Sequence, residues 1–383
     1  MQYLGFTDGY TAHNLRKWCR VKSFPVGRVI IAAGLVLGGA ALAWRLGSTG
    51  SAARPEAAPP GPGPARPAAA VVKQAVQPLQ TWSTPIFVLN SLDANISVID
   101  PASWQETARI PTGKEPHHLY LTPDDKSLIV ANALGDSLTL VDPRTGQVQR
   151  VIRDITDPYH LRFSPDMQWL VTAANRLDHI DFYRWDGQSP QLVKRVPTGK
   201  TPSHLWIDAG SATLYSTMQD SDELVSIDIA TQTIRSRVLT GSMPADVYGS
   251  PDGRMLFVGL TGGNGVEVFD LAGAEPRSLG QIKTAAGAHA FRAAGDGVHL
   301  YVSNRVANTI SKINMQTREV VDSYPGPGGP DCMDVSADGR YLLVSSRWAR
   351  KLSIVDTVEK KVVQQVPVGK SPHGVWTLAH AAR

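Results

Sequence analysis

The sequence predicts an all-β fold, a seven-bladed β-propeller of four-stranded blades preceded by one N-terminal transmembrane or signal helix. Three observations lead there. A short phrase recurs seven times: Pro116-His117-His118-Leu119, Pro158-Tyr159-His160-Leu161, Pro202-Ser203-His204-Leu205, Pro244-Ala245-Asp246-Val247, Gly287-Ala288-His289-Ala290, Pro330-Asp331-Cys332-Met333 and Pro372-His373-Gly374-Val375. Its markers are 42, 44, 42, 43, 43 and 42 residues apart, a period that signals a repeat architecture. Between markers the chain reads as short apolar runs separated by Asp, Gly and Pro turns, the pattern of strands and hairpins. Finally, the chain enters with a three-strand set and leaves with a marker strand. GVWTL after Pro372 must therefore pair with the set Ile86 to Pro111 and close the ring, leaving no sheet edge.

In chain order, residues 1–28 form a basic tail. Arg16, Lys17, Arg20, Lys22 and Arg28 against Asp8 account for all of the formal charge of +4, so the remainder is balanced. A balanced domain is not a nucleic-acid footprint, and no nucleic-acid partner is expected. Residues 29–46 carry the uncharged run VIIAAGLVLGGAALAW. It is short for a membrane span, which takes about 20 residues. The basic residues before it put the tail in the cytoplasm. The expectation is a single anchor with the bulk of the protein on the periplasmic side of a bacterial inner membrane, or release to the periplasm if Ala41-Leu42-Ala43 is cleaved. Residues 47–80, rich in Pro, Ala and Gly, read as an extended spacer that cannot bury apolar surface.

The propeller is assigned to 81–383. IFVLN (86–90), LIVAN (128–132), WLVTAAN (169–175), LYSTM (214–218), LFVGL (256–260), LYVSN (300–304) and YLLVSS (341–346) are the second strands of the blades. The phrases ISVID, LTLVD, LVSID, VEVFD, ISKIN and LSIVD follow as third strands, with HIDFY departing from the pattern in the same slot. TPDD, SPD, SPDG and ADG are hairpin turns, and TGGNG at 261–265 joins two strands, so it is no phosphate loop.

LYVSN at 300–304, NISVID at 95–100, DPRTG at 142–146 and VPVGKSPHGV at 366–375 resemble YVTN-type β-propeller repeats over roughly Thr84 to Trp376. Related propellers include the haem-d1-binding domains of periplasmic nitrite reductases and their biogenesis partners, and the histidine-crowned hub of nitrous oxide reductases. The resemblance implies this fold and leaves function open, since the family has structural, binding and cofactor-dependent members. The chain has no C-x-x-C-H motif, which excludes a covalent c-type haem.

The functional signal is the histidine distribution. The two positions after each marker are expected to ring the mouth of the central channel. They hold His117, His118, His160, His204, His289 and His373, six of the nine histidines beyond Ser83. Chance placement would put about 0.4 there. Converging neutral imidazoles suit a transition metal, copper first, with iron or zinc as alternatives. His117, His118, His160, His204 and His373 are expected to share one centre, with Asp246, His289, Asp331 and Cys332 on the opposite rim. Cys332 has no exported partner, because Cys19 lies before the apolar run. Arg176, Arg305, Arg347 and Trp348 fall in loops at the same mouth. By the resemblance they would seat the carboxylates and ring of a d1-type haem. The sequence thus supports an exported, tethered propeller that binds a metal or metal cofactor, for redox chemistry with a periplasmic partner or for cofactor handling. The alternative is a non-catalytic scaffold whose top face docks a protein or envelope polymer.

Overall fold

The computed structural model of the protein describes residues 84–382. The tail, the expected anchor and the spacer lie outside the described residues. Among the described residues no helix is long and apolar enough to cross a membrane.

Twenty-eight strands, numbered β1 to β28 in chain order, form seven four-stranded antiparallel sheets. The expected closure is present: β28 (Pro372–Thr377) pairs antiparallel with β1 (Ile86–Asn90), completing the sheet of β2 (Asn95–Asp100) and β3 (Gln105–Pro111). The innermost strand of every blade is a marker strand: β4 (Pro116–Leu121), β8 (Pro158–Phe163), β12 (Pro202–Ile207), β16 (Pro244–Gly249), β20 (Ala288–Ala293), β24 (Pro330–Val335) and β28. These seven line the channel. Second strands are buried throughout because blades pack on both their faces, which is why they read as continuous apolar runs; the outermost strands are mostly exposed. The recurrent Asn closing a second strand bonds a hydroxyl of the third strand, as from Asn90 to Ser97 (2.8 Å), Asn132 to Thr139 (2.9 Å) and Asn304 to Ser311 (2.9 Å).

Two local departures from expectation have clear causes. HIDFY forms the third strand of its blade, β10 (His179–Trp185), and carries a buried carboxylate, Asp181, in a slot where the other blades place Ser97, Thr139, Val225, Glu267, Ser311 and Ser353. Arg195 of β11 (Pro190–Pro197) pairs with Asp181 through two bonds of 2.8 and 2.7 Å, which makes that burial tolerable. The segment after β5 (Leu128–Asn132) contains a 3-10 turn, Ala133–Gly135, where no helix was expected.

The repeat register also needs correction in the sixth blade. Ala288 pairs with Asn304 as Pro116 pairs with Asn132, so Ala288 is the marker and His289 follows it by one position, not two. Gly287 belongs to the preceding turn. The residue before each inner strand has positive φ in all seven blades (Glu115, Asp157, Thr201, Met243, Gly287, Gly329, Ser371), and Gly287 at 81° fills that place.

Candidate metal centre in the channel

Along a regular strand, successive side chains point to opposite faces. Here every inner strand shifts register by one residue just after the marker. Such a bulge re-aims side chains, and it lets both residues after the marker reach the channel. With the corrected register, one layer is His117, Tyr159, Ser203, Ala245, His289, Asp331 and His373. Below it lie His118, His160, His204, Asp246, Ala290, Cys332 and Gly374. A third layer, two residues further along, runs from Tyr120 through Arg162, Trp206, Tyr248, Arg292 and Asp334 to Trp376.

The six histidines form one contiguous cluster. His118 is its hub, with ring centres 4.7 Å from His117, 4.4 Å from His160, 4.8 Å from His204 and 4.8 Å from His373. His117 stacks between Tyr159 (3.9 Å) and His373 (3.6 Å), and His289 reaches His204 at 6.0 Å. None of the six is more than 6% exposed, so they plug the channel and do not line an open mouth.

Hydrogen bonds set which nitrogen each ring offers. His118 Nδ1 lies 2.8 Å from the carbonyl of Tyr159, and His373 Nδ1 lies 2.8 Å from the carbonyl of His117. A carbonyl only accepts, so both Nδ1 atoms carry the proton and both Nε2 atoms hold a lone pair. His204 Nδ1 contacts Ser203 Oγ (3.0 Å), and His289 Nδ1 contacts Thr261 Oγ1 (3.0 Å), whose own hydroxyl reaches the Ala288 carbonyl (3.1 Å). In His160 it is Nε2 that is engaged, by the Tyr120 hydroxyl at 3.1 Å. The opposite nitrogens, Nε2 of His118, His204 and His373 and Nδ1 of His160, are buried without a hydrogen-bond partner. Burial, then neighbouring imidazoles, holds the His118 ring neutral by lowering its pKa to about 3. Burial likewise pushes His117, His160, His204, His289 and His373 below the usual range.

Three groups bring their donor atoms within 4.8 Å of one another: His117 with His118 and His373; His118 with His160 and His204; and His289 with Asp331 and His373. His289 therefore does not sit on a separate rim. Its Nε2 is 3.2 Å, and that of His373 3.5 Å, from Asp331 Oδ1. Burial alone would raise the Asp331 carboxyl, but Arg305, followed by His373 and His289, holds it well below the usual range. Arg305 contacts it at 2.6 Å and Arg347 at 3.0 Å.

The other expected residues lie apart. Arg176 pairs with Glu115 (2.8 Å) and Asp157, outside the cluster. Trp348 is 58% exposed and its ring packs on Gly329. Asp246 and Cys332 face the cavity below the histidines but join none of the three groups. Asp246 accepts the main-chain N–H of Val247 (2.8 Å) and Phe291 (2.7 Å), and burial raises its carboxyl. Cys332 is a free thiol 3.4 Å from His373 Nδ1, and burial followed by the Asp331 charge pushes its pKa well up. The third layer went unread in the sequence, although strand alternation from the second layer points straight to it.

Residues 57–383 match the family described as YNCE-like beta-propeller. The chain belongs to that family. No curated protein matches the sequence. Among solved structures this YNCE-like propeller is similar to the periplasmic gluconolactonase PpgL of Pseudomonas aeruginosa, at 21% identity and TM-score 0.66, covering 78% of this chain and 99% of that one. It is also similar to a functionally unknown protein of Desulfotomaculum acetoxidans, at 17% identity and TM-score 0.66, covering 77% and 98%. Dihydro-haem d1 dehydrogenase NirN in complex with DHE matches at 18% identity and TM-score 0.55, covering 78% and 75%. At these identities the likeness concerns the fold.

Proposed function

We propose that this propeller binds a transition-metal ion, copper by donor chemistry, at the histidine cluster, and serves redox chemistry or metal handling in the cell envelope, tethered through residues 29–46. One observation carries the reading: the buried neutral imidazoles of His118, His160 and His204 each engage one nitrogen and leave the other unpartnered, with donor atoms within 4.8 Å of one another. Metal-binding histidines have this arrangement, the second nitrogen fixing tautomer and ring orientation. Leaving such nitrogens unmatched costs about 1–3 kcal/mol each, which a bound cation would recover. His118, His160 and His204 would supply three ligands, and His373 lies beside them. Imidazole donors suit copper, zinc and iron, and among divalent ions copper binds such sites most tightly. Beside them the Cys332 thiol is protonated, and it becomes a ligand only by losing its proton.

The dihydro-haem d1 named for NirN raises a planar macrocycle as the ligand. The cavity under the histidines is about 190 Å³, below the roughly 300–1,000 Å³ of pockets for organic ligands. Arg176 and Trp348 are also engaged elsewhere, so a bare ion is favoured.

Elemental analysis and an absorption spectrum of exported, untagged protein test the reading. Near-stoichiometric copper, zinc or iron that is lost in a His118→Ala, His160→Ala, His204→Ala triple variant is expected. Folded wild-type protein that neither contains nor takes up these metals would overturn it, and the docking scaffold would replace it.

A further inference from the structure

Below the histidines the channel widens into the cavity of about 190 Å³, which His118, His160 and His204 roof. Two guanidinium groups line it. That of Arg292 is consumed: it pairs with Asp334 at 2.8 Å and donates to the carbonyls of Ala293, Ala381 and Ala382. Arg162 differs. Its Nε donates to the Leu205 carbonyl (2.8 Å), and the group packs 4.6 Å from the Trp206 ring centre and 5.4 Å from that of Tyr120. Among the described residues it forms no ion pair with a carboxylate. Asp246, the acid on the same wall, instead gives its oxygens to the two main-chain N–H groups of Val247 and Phe291. A guanidinium oriented by two aromatic rings and one carbonyl keeps its outer N–H pair for a ligand.

We propose that this chamber is a binding site for one small monoanion, such as azide or a short carboxylate, held by Arg162 under the histidine roof. Arg162 is half-buried, and the aromatic walls shield its charge-assisted hydrogen bonds from part of the solvent, while a volume of about 190 Å³ leaves room for one small anion. A metal held by His118, His160 and His204, which line the same cavity as Arg162, would polarise a small anionic substrate brought there. That last step rests on the metal reading; the Arg162 contact does not.

The test titrates the full chain, metal-free and copper-loaded, with azide, formate and pyrenesulfonate by calorimetry, adding the azide charge-transfer band for the loaded form. Azide and formate are expected to bind one per chain to both forms. Affinity should fall at least tenfold in Arg162→Gln and stay within about threefold in Arg162→Lys, which keeps the charge. Pyrenesulfonate, whose four fused rings exceed the chamber, should bind at least tenfold more weakly than formate. Absence of binding to both forms, or equal affinity in Arg162→Gln, overturns the proposal. Azide binding to the loaded form alone, unaffected by Arg162→Gln, also overturns it while leaving the metal centre standing. Arg162-dependent binding to a protein that takes up no metal supports the chamber and sinks the metal reading. Should Arg162→Gln fail to fold, the wild-type size series decides, since pyrenesulfonate binding as tightly as formate rules out the chamber.

Discussion

At the scale of single residues, the histidines couple stability to pH. Burial lowers the folded pKa of His118 to about 3, against about 6.5 in an unfolded chain. Between those values the unfolded chain binds more protons, so the stability His118 contributes is present above pH 6.5 and lost as the pH falls. At pH 5 its share of the loss is about 2 kcal/mol. The other five shift in the same direction and add to the slope. A domain is stable by only about 5–15 kcal/mol. Metal-free protein should therefore unfold in mild acid, with a urea midpoint that drops steeply from pH 6.5 to 5. Replacing His118 and His160 by Asn should flatten that dependence. A midpoint constant across this range would mean that the rings are solvated and not packed as described.

At the scale of the strand, legibility depended on the pattern being tested. Second and third strands were readable because burial on both faces demands continuous apolar runs, and the hydroxyl at their centre answers the Asn of the strand before. The fifth marker was misplaced by one residue because Gly287 occupied a turn position that the other blades fill with Glu115, Asp157, Thr201, Met243, Gly329 or Ser371. Only the backbone reveals that equivalence. The bulge was invisible too, so the expectation of paired histidines at an open rim missed their packing into a plug. Gly374 tests how tightly that plug is built. A Cβ there would lie 2.6 Å from Leu119 Cδ2, 2.9 Å from Leu89 Cδ1 and 3.1 Å from the His117 carbonyl that orients His373. Gly374→Ala should cost about 1–3 kcal/mol in urea unfolding, as overpacking does. Gly210→Ala, which would approach only Asp208 at 3.5 Å, should stay within about 0.5 kcal/mol. Equal stability of the two variants would show that the inner strands yield easily.

At the scale of the whole molecule, the propeller is a ring whose closure and functional cluster share one strand. β28 supplies His373 to the cluster, and Trp376, fully buried with its ring centre 6.1 Å from that of Phe87, to the first blade. Beyond it, residues 378–382 run back across the seventh blade, bridging Ser336 to His380 and giving the Ala381 and Ala382 carbonyls to Arg292. The two pieces should behave differently when removed. Deleting residues 378–383 takes two carbonyl acceptors from a buried guanidinium, at about 1–3 kcal/mol; the chain should elute as the full chain does, with its cluster intact. Deleting 372–383 also uncovers the apolar edge of β1, a ready template for pairing with another chain. That chain should lose cooperative unfolding and aggregate, and a synthetic 372–383 peptide should restore the elution of the full chain. Size-exclusion chromatography with urea titration separates the outcomes. A soluble, cooperatively folded 1–371 chain would mean that the ring does not depend on joining the two ends of the domain.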